Sequence, residues 1–158
     1  MKRLMKLLVL SLVATVAAAG CNEKENRKAA VSHPQPVKAP SVVVVPESVK
    51  GKWKAVKIAV VDKNAEGQKI YTIAIGTELK LPGSDLTLSV DNFLPHFVME
   101  GTTLTSQSNE LKNPAAQLRV IEGGREINKG WLFALYPTAH PFQHPHYGFT
   151  LVDYVPAI

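Results

Sequence analysis

The sequence predicts an all-β fold: a single small antiparallel β-sandwich or barrel of about seven or eight short strands. Three observations point there. β-branched and aromatic runs recur between turn-forming clusters of Gly, Asn, Asp and Ser. Apolar residues within those runs alternate with polar ones, the period that buries one face of a strand. No stretch keeps a helical period over a convincing length, and Lys112–Ala116 (KNPAA) is expected to close one turn at most.

The elements follow in chain order. Val42–Val45 (VVVV), stopped by Pro46, reads as a first edge strand that docks onto the domain. Lys54–Asp62 (KAVKIAVVD) and Lys69–Ile75 (KIYTIAI) read as two strands joined by a turn at Asn64–Gly67. Leu86, Leu88 and Val90 alternate with Thr87, Ser89 and Asp91. Phe97 and Met99 continue the alternation after Pro95. Leu118 and Val120 lead to Gly123-Gly124, a pair suited to the positive φ angles of a two-residue hairpin. The returning strand, Glu126–Leu135, places Trp131, Phe133 and Leu135 on one face. A last strand, Tyr147–Tyr154, is expected to carry Phe149 and Leu151 on one side and Val152 and Tyr154 on the other. Residues 51–158 are the expected β-domain. No internal repeat is visible.

Residues 1–20 (MKRLMKLLVLSLVATVAAAG) begin with Lys2, Arg3 and Lys6, continue through an apolar stretch, and end in small residues. That is the pattern of a secretory signal peptide. The apolar stretch is too short for a stable membrane span, and no later segment approaches the length one needs. Cys21, the single cysteine, follows Ala18-Ala19-Gly20 directly. This resembles the lipobox of bacterial lipoproteins, with Ala18 where that family usually has Leu. The resemblance implies cleavage before Cys21 and lipid attachment to its sulfur and amino group. Each acyl CH₂ buried in a bilayer contributes about 0.8 kcal/mol, so several chains hold a protein durably. The implied partner is therefore a membrane, reached through Cys21. The expected location is the cell envelope, facing the periplasm or exterior. Asn22 rather than Asp follows the cysteine, which in lipoprotein sorting favours an outer membrane over an inner one where both exist.

Residues 21–50 carry the acylated cysteine and a segment rich in charges and proline (Pro34, Pro36, Pro40, Pro46). Such a composition cannot bury enough apolar surface to offset ordering entropy, so it reads as a flexible tether. His33 lies in it and is expected to be solvated. The net charge of +5 also shrinks on this reading. Three basic residues and no acidic ones lie in residues 1–20, and from Gly51 onward ten basic residues face ten acidic ones. A near-neutral domain without an arginine-rich helix gives no reason to expect nucleic acid.

The C-terminal third resembles an uncharacterised family of exported bacterial proteins. The residues that carry this are Gly130-Trp131-Leu132-Phe133-Ala134, His144-Pro145-His146-Tyr147 and Leu151-Val152-Asp153. A fainter, wider likeness is to the extracytoplasmic part of ResB-type cytochrome c biogenesis proteins. Its cues are Phe93, Pro95 and Phe97, the loop Ser108-Asn109-Glu110, the pair Asn113-Pro114, and the same Trp131 strand. These likenesses imply a β-domain in the envelope. They bring no catalytic residues.

His140, His144 and His146 stand in the stretch HPFQHPH. Three imidazoles suit Zn²⁺ or Cu²⁺. Pro141 and Pro145 oppose the helix on which that first spacing works best, so rigid turns are the other reading. His96 is a possible fourth ligand. Trp131, Phe133 and Tyr136 form a possible partner surface, although aromatic residues at period two are more often core. Lys50, Lys52 and Lys54 alternate around Trp53, as on a solvated edge strand. Ser106, Ser108, Glu110 and Asp153 show no arrangement that calls for catalysis. The expectation is a non-enzymatic envelope lipoprotein without a cofactor, which binds or scaffolds another envelope protein. A metal-binding lipoprotein using the three histidines is the alternative.

Overall fold

Turn residues and apolar alternation place ten strands among the described residues of the computed structural model, which are 40–139 and 142–158. They are β1 (Val42–Val44), β2 (Trp53–Asp62), β3 (Gln68–Ala74), β4 (Glu78–Lys80), β5 (Leu86–Leu94), β6 (Phe97–Glu100), β7 (Thr103–Ser106), β8 (Ala115–Glu122), β9 (Arg125–Phe133) and β10 (Tyr147–Pro156). No helix occurs among those residues, so the all-β expectation holds. The count exceeds the expected one because β1, β4, β6 and β7 are only three or four residues long. Ala115 and Ala116, expected in a helical turn, instead begin β8.

The strands form three sheets. One has the order β10-β2-β3 and another β4-β5-β8-β9, both antiparallel. The third, β1-β7-β6, joins an antiparallel hairpin to a parallel edge strand. The two larger sheets share one core. Val56, Ile58 and Val60 of β2, with Phe149 and Leu151 of β10, pack among Leu86, Leu88 and Val90 of β5 and Leu118 and Val120 of β8. Burying each such side chain stabilises the fold by about 1.5–3 kcal/mol. The compact unit runs from Lys38 to Ile158, so β1 belongs to it.

The turns are where the sequence placed them. Gly67 closes the β2–β3 connection at φ 91°, and Gly123 and Gly124 have φ of 56° and 80°. These are left-handed conformations that a side chain would strain.

Three further expectations need correction. Met99, expected with Phe97 to continue the alternation that buries one face, is 63% exposed on β6. β2 is the central strand of its sheet, flanked by β10 and β3, so Lys54 does not lie on an edge; Lys50 and Lys52 precede the strand. Tyr154 also lies on the same face as Leu151, not opposite it. The pairing shifts between Leu151 and Asp153, which inserts an extra residue at Val152. Val152 is left exposed, and Tyr154 returns inward against Trp53 and Phe93 at ring distances of 5.8 and 5.3 Å. A second shift, between Val90 and Asn92, turns Asp91 and Asn92 both outward before Phe93 re-enters the core.

Between β5 and β8 the chain makes an excursion that carries the β6–β7 hairpin. Its base is tied by hydrogen bonds. The Phe97 N–H donates to the Asn113 carbonyl at 3.0 Å, and the His96 N–H donates to Ser106 Oγ at 2.9 Å. The hairpin is the platform for β1, whose Val42 N–H donates to the Thr102 carbonyl at 3.0 Å. Thr105 Oγ1 donates to the Val44 carbonyl at 2.8 Å.

Candidate functional site

Cys21, His33 and His140 lie outside the described residues. Of the expected histidine cluster, His144 and His146 remain, and the structure gives them different surroundings. His144 is buried, with 3% of its surface exposed. Its Nδ1 accepts two backbone N–H groups, from His146 and Tyr147, each at 3.2 Å. That consumes the lone pair of the neutral ring, so the proton sits on Nε2. Nε2 faces Glu122 Oε1 at 3.6 Å, too long for a hydrogen bond. Tyr147 lies against the ring, with centroids 5.4 Å apart. A metal at Nε2 would need the proton moved to Nδ1, with loss of both backbone bonds. His146 is exposed, and its Nδ1 meets the Asn64 side-chain amide at 3.0 Å.

The loop is locked onto the β2–β3 turn. Lys63 Nζ donates to the His144 carbonyl at 2.7 Å, and the Lys63 N–H donates to the His146 carbonyl at 2.8 Å. The chain thus uses the His144-Pro145 step to fix a turn before β10. No group of three or more His, Cys, Asp or Glu side chains converges among the described residues.

His96 lies elsewhere, at the base of the β6–β7 excursion. Its Nδ1 is 3.1 Å from Ser108 Oγ. Ser106 Oγ in turn donates to the Ser108 carbonyl at 2.8 Å, so the polar loop serves the excursion's own geometry.

Trp131 and Phe133 are brought together, but by a third aromatic. Both project from β9 on the side opposite the buried Leu132, and Phe97 of β6 packs edge-on against each, at 5.1 and 5.0 Å. These rings fasten the excursion to the sheet. Tyr136 and its neighbour Leu135 remain open, at 60% and 58% exposure. The exposed apolar surface at the end of β9 is therefore Leu135-Tyr136.

Glu110, Asp153 and Asp91 are paired. Lys112 Nζ lies 2.7 Å from Glu110, and its hydrogen bond and charge hold that carboxyl below its ordinary range. Asp153 is held low likewise, by the Lys57 hydrogen bond at 2.7 Å and by the Tyr154 N–H. Asp91, 17% exposed, receives Lys129 at 2.8 Å, Arg119 at 3.3 Å and the Ser89 hydroxyl at 3.0 Å. Burial pushes its pKa up, but the hydrogen bonds from Lys129 and Ser89 and the two cationic charges outweigh that and lower it. Asp91, on the outer sheet face, is thus kept ionised by fixed partners.

Compared with family models, curated proteins and solved structures, the chain matches none.

Sequence reasoning missed two features. The ionic row Glu78–Arg119–Asp91–Lys129 depends on strand register and on the bulge at Asp91, neither of which is local. The other is a cleft of about 360 Å³ where the β2–β3 hairpin meets the Leu81–Ser84 turn. Its tyrosines, Tyr71 and Tyr147, come from strands far apart in sequence. Only the alternation of Lys69 and Tyr71 around Ile70 hinted at a polar inner face there.

Proposed function

We propose that this chain is a lipid-anchored protein of the bacterial cell envelope whose β-domain is a non-enzymatic binding module for another envelope protein. The observation that carries this reading is how the chain enters the fold: among the described residues its first strand, β1, pairs in parallel with β7. A membrane-bound cysteine would then hold the domain within a short chain length of the surface and raise its effective concentration toward other membrane components. Leu135-Tyr136 gives an apolar, aromatic contact point of the kind that anchors protein interfaces.

A binding role also accords with the polar groups. His144, Glu110, Asp153 and Asp91 are each occupied by a structural bond. The likeness to ResB-type proteins directs the search for a partner toward cytochrome c maturation.

The test is site-specific photo-cross-linking of the full-length chain in its own envelope. A photoreactive residue replaces Tyr136 in one variant and Ile70, exposed on β3, in another. The expected result is a discrete protein adduct from position 136 and none from position 70. Identical adducts from both, or none from either, would remove Leu135-Tyr136 as the contact.

A further inference from the structure

The structure assigns a second binding site to the cleft between the β2–β3 hairpin and the Leu81–Ser84 turn: we propose that it takes a neutral carbohydrate, one or two linked sugar rings. The site stands apart from Leu135-Tyr136, and its argument does not use the lipid anchor.

Register fixes the lining. On the inner face of the β10-β2-β3 sheet, Tyr71 is opposite Ile58, Lys69 is opposite Val60, and Tyr147 is opposite Asp62. Ile58 and Val60 are buried toward the core. The same face therefore changes from apolar to polar as it approaches the β2–β3 turn. At that end Leu81 supplies the opposing apolar wall, buried and held by its N–H to the Leu86 carbonyl at 2.8 Å. The result is a cleft of about 360 Å³ lined both by apolar residues, Val60 and Leu81, and by polar ones, Asp62, Gln68 and Lys69. Strand geometry separates the Tyr71 and Tyr147 backbones by about 16 Å. The volume is within the range of small-molecule sites, about 300–1,000 Å³.

Several polar groups around the cleft lack a partner among the described residues, although the Ser84 hydroxyl is engaged with Leu81 and Leu86. Among the described residues, neither tyrosine hydroxyl, nor Lys69 Nζ, nor the Gln68 amide takes part in a side-chain hydrogen bond within the chain. Asp62 Oδ1 accepts the Asn64 N–H at 2.9 Å, which leaves Oδ2 for another donor. The lining thus offers aromatic faces, donors and acceptors together, with Lys69 offsetting Asp62.

That mixture selects among ligands. An aliphatic chain would strand the lysine and carboxylate without partners, each a cost on burial. A phosphate or other anion would face Asp62 and Glu66. A sugar ring satisfies both demands: its apolar face packs on a tyrosine, and its hydroxyls give and accept hydrogen bonds without bringing a charge.

The experiment is saturation-transfer NMR on the full-length chain in a detergent without a sugar headgroup. Chitobiose and maltose are the carbohydrate probes, and decanoate and inorganic phosphate are the contrasting ones. The expected result is transfer to the ring protons of at least one disaccharide, with affinity about tenfold weaker in Tyr71→Ala. Tyr71 touches the core, so Lys69→Ala, at an exposed position, is the companion variant. It should keep the wild-type circular dichroism spectrum and also weaken binding. Transfer to neither disaccharide at high millimolar concentration would overturn the proposal. So would binding unchanged in both variants, or preference for decanoate or phosphate. A Cys21→Ser chain should bind the sugar as wild type does, which separates failure of the cleft from failure of the anchor.

Discussion

The buried Nδ1 of His144 accepts the backbone N–H of Tyr147 at 3.2 Å, and so one imidazole caps the entry into β10. It accepts the His146 N–H as well, at the same distance, acting as an Asn or Asp side chain does in an Asx-turn. His144→Ala leaves two donors without their acceptor and empties a buried site. It should cost about 2–4 kcal/mol in urea denaturation. In His144→Asn the amide oxygen stands close to where Nδ1 stood, so this variant should lose about half as much. Equal losses for the two would show that packing, not the acceptor, is what His144 supplies.

Among the described residues Phe97 is the ring that meets both Trp131 and Phe133, and it ties the β6–β7 excursion to the outer face of the β4-β5-β8-β9 sheet. Phe97→Ala should destabilise by about 2–3 kcal/mol, somewhat below a fully buried Phe because the ring is only half-buried. It should also shift the Trp131 emission to longer wavelength, since that indole loses its cover. Trp53 packs on Phe93 and Tyr154 on the inner side of the sheet and donates its indole N–H to Asn109 of the excursion at 2.7 Å, so a Trp53→Phe background is needed to isolate the Trp131 signal.

Asp91 makes stability depend on acid. Its pKa is lower in the fold than in the unfolded chain, because Lys129, Ser89 and Arg119 favour the carboxylate more than burial opposes it. Its contribution is present in full above the unfolded value near pH ~4 and is lost as pH falls through the lower folded value. Glu110 and Asp153 act in the same direction. Denaturation midpoints measured downward from pH ~4 should therefore fall less steeply in Asp91→Asn than in wild type.

The bulge at Val152 yields a deletion experiment. Leu151 pairs with Ile58, Asp153 with Lys57 and Tyr154 with Val56, so Val152 is the residue without a partner. Removing it restores regular alternation and keeps Tyr154 inward. The cost should be about 1 kcal/mol or less. Removing Thr150, which is paired with Ala59, lets Val152 take the inner place opposite Ile58 and turns Leu151 outward, so that chain should be less stable than the Val152 deletion.

These two deletions mark what could be read from the sequence. Local signals were legible: the turn at Gly67, the Gly123-Gly124 hairpin, the buried Leu86-Leu88-Val90 face, and a docking strand at Val42–Val44. Pure period-two reasoning failed at Val152, because a bulge adds one residue and reverses every assignment after it. The lysine-edge reading failed for another reason. Whether a strand is central depends on which strands pair with it, and β2 is joined to β10 from the far end of the chain. At the sites, the aromatic alternation of Trp131 and Phe133 was visible, but their cover, Phe97, comes from the hairpin excursion. The histidine spacing was equally plain, yet only the folded turn shows that the His144 lone pair is already committed to the backbone.

The account rests most heavily on Cys21 as the point of attachment to a membrane. Mass spectrometry of the amino-terminal peptide from the native envelope protein tests this directly. The account predicts a chain that begins at Cys21 and carries diacylglycerol in thioether linkage on its sulfur. A free thiol at Cys21, or a chain that still retains residues 1–20, would contradict it.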